Sequence, residues 1–154
     1  MLITTGKKPD AISRRIAHLL SFIVPGAHLE NRGNRTLSSL ILKARKKRYP
    51  RVCTVYKAQG KPATSAFLSL TDDGFSWLSP KIQIEKAVFH SAISRKFISA
   101  TQLEIRGTKK SVLQELFAPV SYSEKCPSTI KAGAKKLSFF LGRKKMLELD
   151  VKYT

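Results

Sequence analysis

The chain has 154 residues, of which 42% are hydrophobic and 8% aromatic, which suits one compact domain or two small halves sharing a core and argues against disorder. Lys and Arg number 29 against 10 Asp and Glu, a formal net charge of +19 with a pI near 10.3. Most of those cations find no acidic partner within the chain, a threefold excess of one sign is more than solubility needs, and a polyanion is the simplest partner.

In chain order, residues 1–4 (MLIT) read as a short buried strand and 5–10 (TGKKPD) as a turn, with Asp10 a fair helix N-cap. Ile12, Ile16, Leu19, Leu20 and Ile23 then recur at helical spacing, with Arg14 and Arg15 on other faces, until Pro25-Gly26 stops the helix. Residues 27–30 (AHLE) form a brief strand and 31–36 (NRGNRT) the loop after it. Leu37, Leu40, Ile41 and Ala44 are the apolar stripe of a second helix. Residues 52–56 (VCTVY) and 63–70 (ATSAFLSL) are strands, joined by the turn KAQGKP and closed by the hairpin-type turn TDDG. Further on, FSWLS, IQIEKAVF and ATQLEIRG read as strands. Thr108 is placed to cap a short helix bearing Val112, Leu113, Leu116 and Phe117. Residues 128–142 read as helical despite Gly133, and KMLELDVKY as a terminal strand. The alternation predicts an α/β fold, a layered, mainly parallel or mixed sheet with flanking helices, whose halves cover residues 1–72 and 73–154.

If the first three strands are parallel and joined by right-handed helical crossovers, their carboxyl ends lie on one edge of the sheet, where ligands of open α/β sheets bind. The loops leaving those ends, TTGKK, NRGNR and KAQGK, each combine a glycine with at least two cations. Two of them enter helices, whose free N–H groups and dipoles attract phosphate. Lys7, Lys8, Arg32, Arg35, Lys57 and Lys61 are therefore the expected phosphate-binding edge. The run Arg45, Lys46, Lys47, Arg48 ends the second helix on the opposite edge. Cations there offset the helix dipole, but four exceed that need and extend the footprint. Arg14 and Arg15 complete the RNA-binding candidates. Residues 1–70 carry 14 cations against 2 acids, net +12, and residues 71–154 carry 15 against 8, net +7, so the first half should dominate contact.

Phe67, Phe89, Phe117, Phe139 and Phe140 lie at core spacing, and Trp77, Tyr49 and Tyr56 are weak stacking candidates. Recognition through backbone and shape is favoured over base reading. His18, His28 and His90 are scattered, and no P-loop, nucleophile elbow or metal-ligand spacing occurs. The expectation is a non-enzyme without cofactor, metal or small-molecule substrate. Cys53 and Cys126 are too few and too far apart for a zinc site or disulfide framework. The longest apolar cluster, Leu19 to Val24, is far shorter than the roughly 20 residues of a bilayer span. Met1-Leu-Ile-Thr-Thr runs straight into Gly6-Lys7-Lys8 rather than into a secretory leader. A cytoplasmic protein that does not engage membranes is expected.

The first seventy residues resemble the Brix-domain proteins, a family of ribosome-biogenesis factors. The resemblance is carried by Ile3-Thr4-Thr5, the basic turn Lys7 to Pro9, Arg15, the run Leu20 to Pro25, Asn31-Arg32-Gly33, and the strand-turn-strand KAQGKPATSAFLSL. It departs at Gly6, where members often carry serine, and at Gly142-Arg143, where many have Gly-Pro-Arg. The short chain is similar to the archaeal members. The resemblance implies two halves, each similar to the anticodon-binding domain of class IIa aminoacyl-tRNA synthetases. It also implies binding to ribosomal RNA or pre-rRNA during processing or subunit assembly, in the company of other assembly factors or guide RNP components. The alternatives are a permanent ribosomal protein or another binder of structured, tRNA-like RNA.

Overall fold

A computed structural model describes residues 1–58, 61–92, 99–118 and 128–154, leaving aside the side chains of residues 58, 61 and 62. Cys126 lies outside the described residues. Among the described residues, ten strands and three helices follow in the order β1 (Leu2–Thr5), α1 (Ala11–Ile23), β2 (His28–Glu30), α2 (Leu37–Lys46), β3 (Arg51–Ala58), β4 (Lys61–Leu70), β5 (Phe75–Trp77), β6 (Ile82–Phe89), β7 (Leu103–Arg106), α3 (Lys110–Phe117), β8 (Ser128–Ala132), β9 (Lys136–Leu141) and β10 (Lys144–Tyr153). All the strands join one sheet in the order β2-β1-β3-β4-β6-β10-β9-β8-β7, with β5 paired to β4. Three pairings are parallel, β1 with β2, β1 with β3, and β7 with β8. The other six are antiparallel, so the sheet is mixed rather than mainly parallel. Among the described residues, no helix is long and apolar enough to cross a membrane.

The helices start where the sequence supplies caps. Asp10 accepts a hydrogen bond from the Ser13 amide at 2.7 Å and opens α1, and Thr36 accepts one from the Ser39 amide at 3.2 Å and opens α2. Pro25, with no amide hydrogen to donate, follows the last bond of α1, from the Val24 amide to the Leu20 carbonyl. The end of α2 closes differently. Arg48 sits at φ 57, its amide donates to the Arg45 carbonyl and the Tyr49 amide to the Ala44 carbonyl, a Schellman closure with arginine in the place glycine usually takes. Lys109, rather than Thr108, precedes α3, and it makes no side-chain cap.

Alternation sorts the strands' side chains between two cores. Ile3, Cys53, Val55 and Phe67 face α1 and α3 in a large core that also takes Ile16, Leu19 and Ile23 of α1, Leu113, Leu116 and Phe117 of α3, and the inner residues of β6 to β10. Phe67 meets Phe117 edge-on, with ring centroids 5.3 Å apart. Leu2, Val52 and Leu68 point the other way, under Ile41 and Ala44 of α2. Fully burying each such Leu or Ile stabilises the fold by about 1.5–3 kcal/mol. Burial pushes the Cys53 thiol up to about 12, so it behaves as a small core hydrophobe.

The helix expected from Ser128 onward is instead the hairpin β8–β9. In β8, Ser128, Ile130 and Ala132 are buried while Thr129 and Lys131 are not, the period of a half-buried strand. The chain reverses where the Gly133 amide donates to the Lys136 carbonyl at 2.8 Å. Pairing with β7 and β10 on either side overrides the helix propensity of the Ala and Lys residues in this segment.

Candidate nucleic-acid interface

The parallel set β2-β1-β3 brings the carboxyl ends of the first three strands to one edge. Register pairs Thr4 with both Glu30 and Thr54, and Thr5 with Val55. The Gly6 amide donates to the Val55 carbonyl at 3.0 Å, and the Thr4 hydroxyl donates to the Glu30 carbonyl at 2.9 Å. A β-carbon on Gly6 would lie 3.1 Å from that of Tyr56, a tight approach of the chain to β3. Beyond this contact Lys7 and Lys8 emerge exposed beside Lys57, also exposed. Lys61 opens β4 on the same edge; its side chain lies outside the described residues.

The Asn-Arg loop folds back on itself. The Arg35 amide donates to the Arg32 carbonyl at 3.1 Å, the Arg32 guanidinium donates to the Arg35 carbonyl at 3.2 Å, and Gly33 takes φ 54 at the bend. Glu30, with a side chain only 12% exposed, pairs with Arg35 and, at 2.8 Å, with Lys43. Hydrogen bonds from Lys43 and Arg35 hold its carboxyl down at about 2. Arg35 is thus held against the sheet, whereas Lys7, Lys8 and Lys57 extend from it.

The helix starts are less open to phosphate than expected. Asp10 puts a carboxylate at the start of α1, which repels an anion at that dipole end, and Thr36 already occupies one amide of α2. The positive charge this edge offers is therefore that of its lysine and arginine side chains.

Four candidates are engaged within the fold. The Arg14 guanidinium donates twice to the Pro9 carbonyl, at 3.2 and 2.9 Å. Arg15 lies 4.1 Å over the Phe89 ring and donates to the Ser91 carbonyl at 3.1 Å, joining α1 to the end of β6. Arg35 is paired as described, and Arg45 donates to the Gly74 carbonyl at 2.7 Å, tying α2 to the β4–β5 turn. Lys46, Lys47 and Arg48 stand exposed at the end of α2, on the opposite edge from the three loops. Of the twelve candidates, six form two exposed clusters, four are structural cations, the Arg32 guanidinium is folded onto its own loop, and the Lys61 side chain lies outside the described residues. Lys43 escaped the sequence reading. Its spacing on α2 gives no sign of Glu30, which only the β1–β2 pairing brings beneath the helix. Phe75 escaped it too, although the alternation Phe75-Ser76-Trp77 beside Gly74 was a usable signal.

No protein-family model matches the chain. A probable Brix domain-containing ribosomal biogenesis protein of Pyrococcus abyssi is 28% identical over 78 residues, 51% of this chain and 35% of that protein. Its counterpart in Pyrococcus horikoshii is 27% identical over the same length and shares. The match thus spans about a third of the curated relatives' length. Among solved structures, a probable ribosomal biogenesis protein from Aeropyrum pernix superposes with a TM-score of 0.73 at 14% identity, over 99% of this chain and 95% of that one. Mil, an archaeal Imp4-like protein, superposes with a TM-score of 0.70 at 20% identity, over 99% and 97%. These findings bear out the resemblance read from the first seventy residues: the chain has the fold of the archaeal ribosomal-biogenesis and Imp4-like proteins, and half of it aligns in sequence with Brix domain-containing relatives.

Proposed function

We propose that the chain is a ribosome biogenesis factor that binds ribosomal RNA or pre-rRNA during processing or subunit assembly, acting in the cytoplasm as a binding module rather than an enzyme. The observation that carries this reading is the convergence of Lys7, Lys8 and Lys57 on one sheet edge, exposed, in a chain of net charge +19. The names of its relatives add the ribosomal context. The cations lie along strand ends rather than on a groove-reading helix, which suits backbone and shape recognition of folded RNA. Assembly factors or guide RNP components would then be neighbours in the precursor particle.

Reversing the charge of Lys8 and Arg32 together (Lys8→Glu, Arg32→Glu) should weaken binding to a structured rRNA fragment more than tenfold at moderate salt. The unaltered protein should show a log–log salt slope steeper than about −3, because several phosphates are neutralised. A flat salt response with unchanged variant affinity would remove this edge from the account. Sedimentation distinguishes the factor from a permanent ribosomal protein, since a factor stays with precursors and leaves the mature subunits.

A further inference from the structure

We propose that Phe75 and Trp77 form a stacking platform for two unpaired RNA bases, a contact region separate from the three-loop edge. The inference rests on the RNA-binding reading and adds to it a preference for single-stranded segments. The two rings are 51% and 48% exposed, large apolar groups that a folded chain ordinarily covers. Alternation along β5 puts both on one face, roughly 7 Å apart at two residues' rise. Opposite Leu70 and Leu68 in register, they share the face of the sheet on which α2 lies.

Cations surround this pair. The Lys81 ammonium lies 6.0 Å from the centre of the Trp77 ring. The bond from Arg45 to the Gly74 carbonyl turns one flank of α2 toward β5, and Leu42, one turn back on that flank, is 58% exposed. A cavity of about 530 Å³ between the end of α2 and the β4–β5 turn is lined by Arg45, Arg48, Tyr49, Leu70, Thr71 and Asp72. Of the exposed cations that end α2, Arg48 lines this cavity. Aromatic faces set among cations are what a flexible single strand requires: bases stack on the rings whatever their sequence, and phosphates settle on the flanking charges. An apolar protein partner would leave the charges around the patch unanswered; a polyanion answers them. Asp72 and Asp73, exposed in the β4–β5 turn, repel phosphate at one end, so the strand leads away from the turn toward Lys81.

Trp77 is the single tryptophan, so its fluorescence reports the stack directly. The full chain is titrated with a twelve-nucleotide oligoadenylate and, separately, with a fully paired RNA duplex of the same length. Saturable quenching by the single strand and none by the duplex is expected. Phe75→Ala should weaken oligoadenylate binding by about tenfold or more and leave duplex affinity within about twofold, while Phe75→Tyr, which keeps a ring, should bind as the unaltered protein does. Thermal melting confirms that each variant is folded, and Phe75→Tyr supplies the comparison should Phe75→Ala melt early. Unquenched Trp77 together with unchanged oligoadenylate affinity in Phe75→Ala overturns the proposal. So does a variant that keeps oligoadenylate affinity but loses association with precursor particles, which would assign the patch to a protein. If Lys8→Glu, Arg32→Glu leaves duplex binding unchanged while Trp77 is still quenched by the single strand, the loop edge fails and the platform stands.

Discussion

The three-loop edge of the first half and the open face of the second half's sheet both carry several cations and use them differently. On the open face, acids pair with bases within strands and across neighbouring ones. Glu148 of β10 takes Lys136 of β9 at 3.0 Å and Lys145 at 2.7 Å, Glu104 takes Arg106, and Glu85 takes Lys152 at 3.0 Å. Phe140 lies between Lys131 and Lys145 on the same face. On the loop edge Glu30 is taken up by Arg35 and Lys43 and Asp10 by its cap on α1, so Lys7, Lys8 and Lys57 project charge outward. Exposed ion pairs contribute little stability, typically about 0–1 kcal/mol each. What the pairing on the open face does is cancel field, and on the loop edge Lys7, Lys8 and Lys57, outside any ion pair among the described residues, create it. Charge count alone does not locate an interface; the pattern of neutralisation does.

The largest effect should come from testing that contrast by charge reversal. Lys7→Glu with Lys57→Glu is expected to lower structured-RNA affinity more than tenfold, or about 1.4 kcal/mol, and to flatten the salt slope by about 2. Lys136→Glu with Lys145→Glu should change RNA affinity by less than about threefold. Equal losses from both pairs, read by filter binding across a salt series, would erase the distinction between the two regions.

Next is Arg15, which joins α1 to the end of β6. Arg15→Ala should destabilise the fold by about 1–2 kcal/mol, through the lost cation–π contact with Phe89 and the freed Ser91 carbonyl. RNA affinity should stay within about twofold. Urea unfolding and RNA titration of the same sample separate the roles, and an affinity loss without a stability loss would return Arg15 to the interface.

The smallest effect is a titration. The Glu30 carboxyl is held at about 2 against an ordinary 4.5. A lowered folded value means its contribution to stability is fully present above about pH 4.5 and is lost as pH falls toward 2. Glu148 is held at about 2 by Lys145 and Lys136 and titrates in the same window. Melting temperature should therefore decline between pH 5 and 2.5, and less steeply in Glu30→Gln. At neutral pH, Glu30→Gln frees Arg35 and Lys43 and should raise RNA affinity about twofold, whereas Glu148→Gln, on the paired face, should not. An identical response from both variants would mean that the position of the freed cations is immaterial.

Much of the first half was legible because its signals are local. Asp10 and Thr36 cap the helices, Pro25 stops α1, the alternation in VCTVY and ATSAFLSL reports strands, and the parallel β2-β1-β3 set expected from their order places three basic loops together. The second half was read less well because its elements are specified by neighbours distant in the chain. Ile130, Ala134, Leu137 and Leu141 recur at helical spacing, and only pairing with β7 and β10 decides for strands. The same holds for the cations: Arg15, Arg35 and Arg45 look like Lys7 and Lys8 until their partners are known.

By itself the sequence determined the net positive charge, the order of the first-half elements and the presence of cation-rich turns, because caps, periodicity and charge reside in residues and their near neighbours. Only tertiary structure decided which cations stay outside ion pairs, that β5 leaves Phe75 and Trp77 uncovered, and that residues 128–141 form a strand hairpin. Each depends on which strand lies beside which, and strand pairing joins segments far apart in the chain, where no local pattern records the partner.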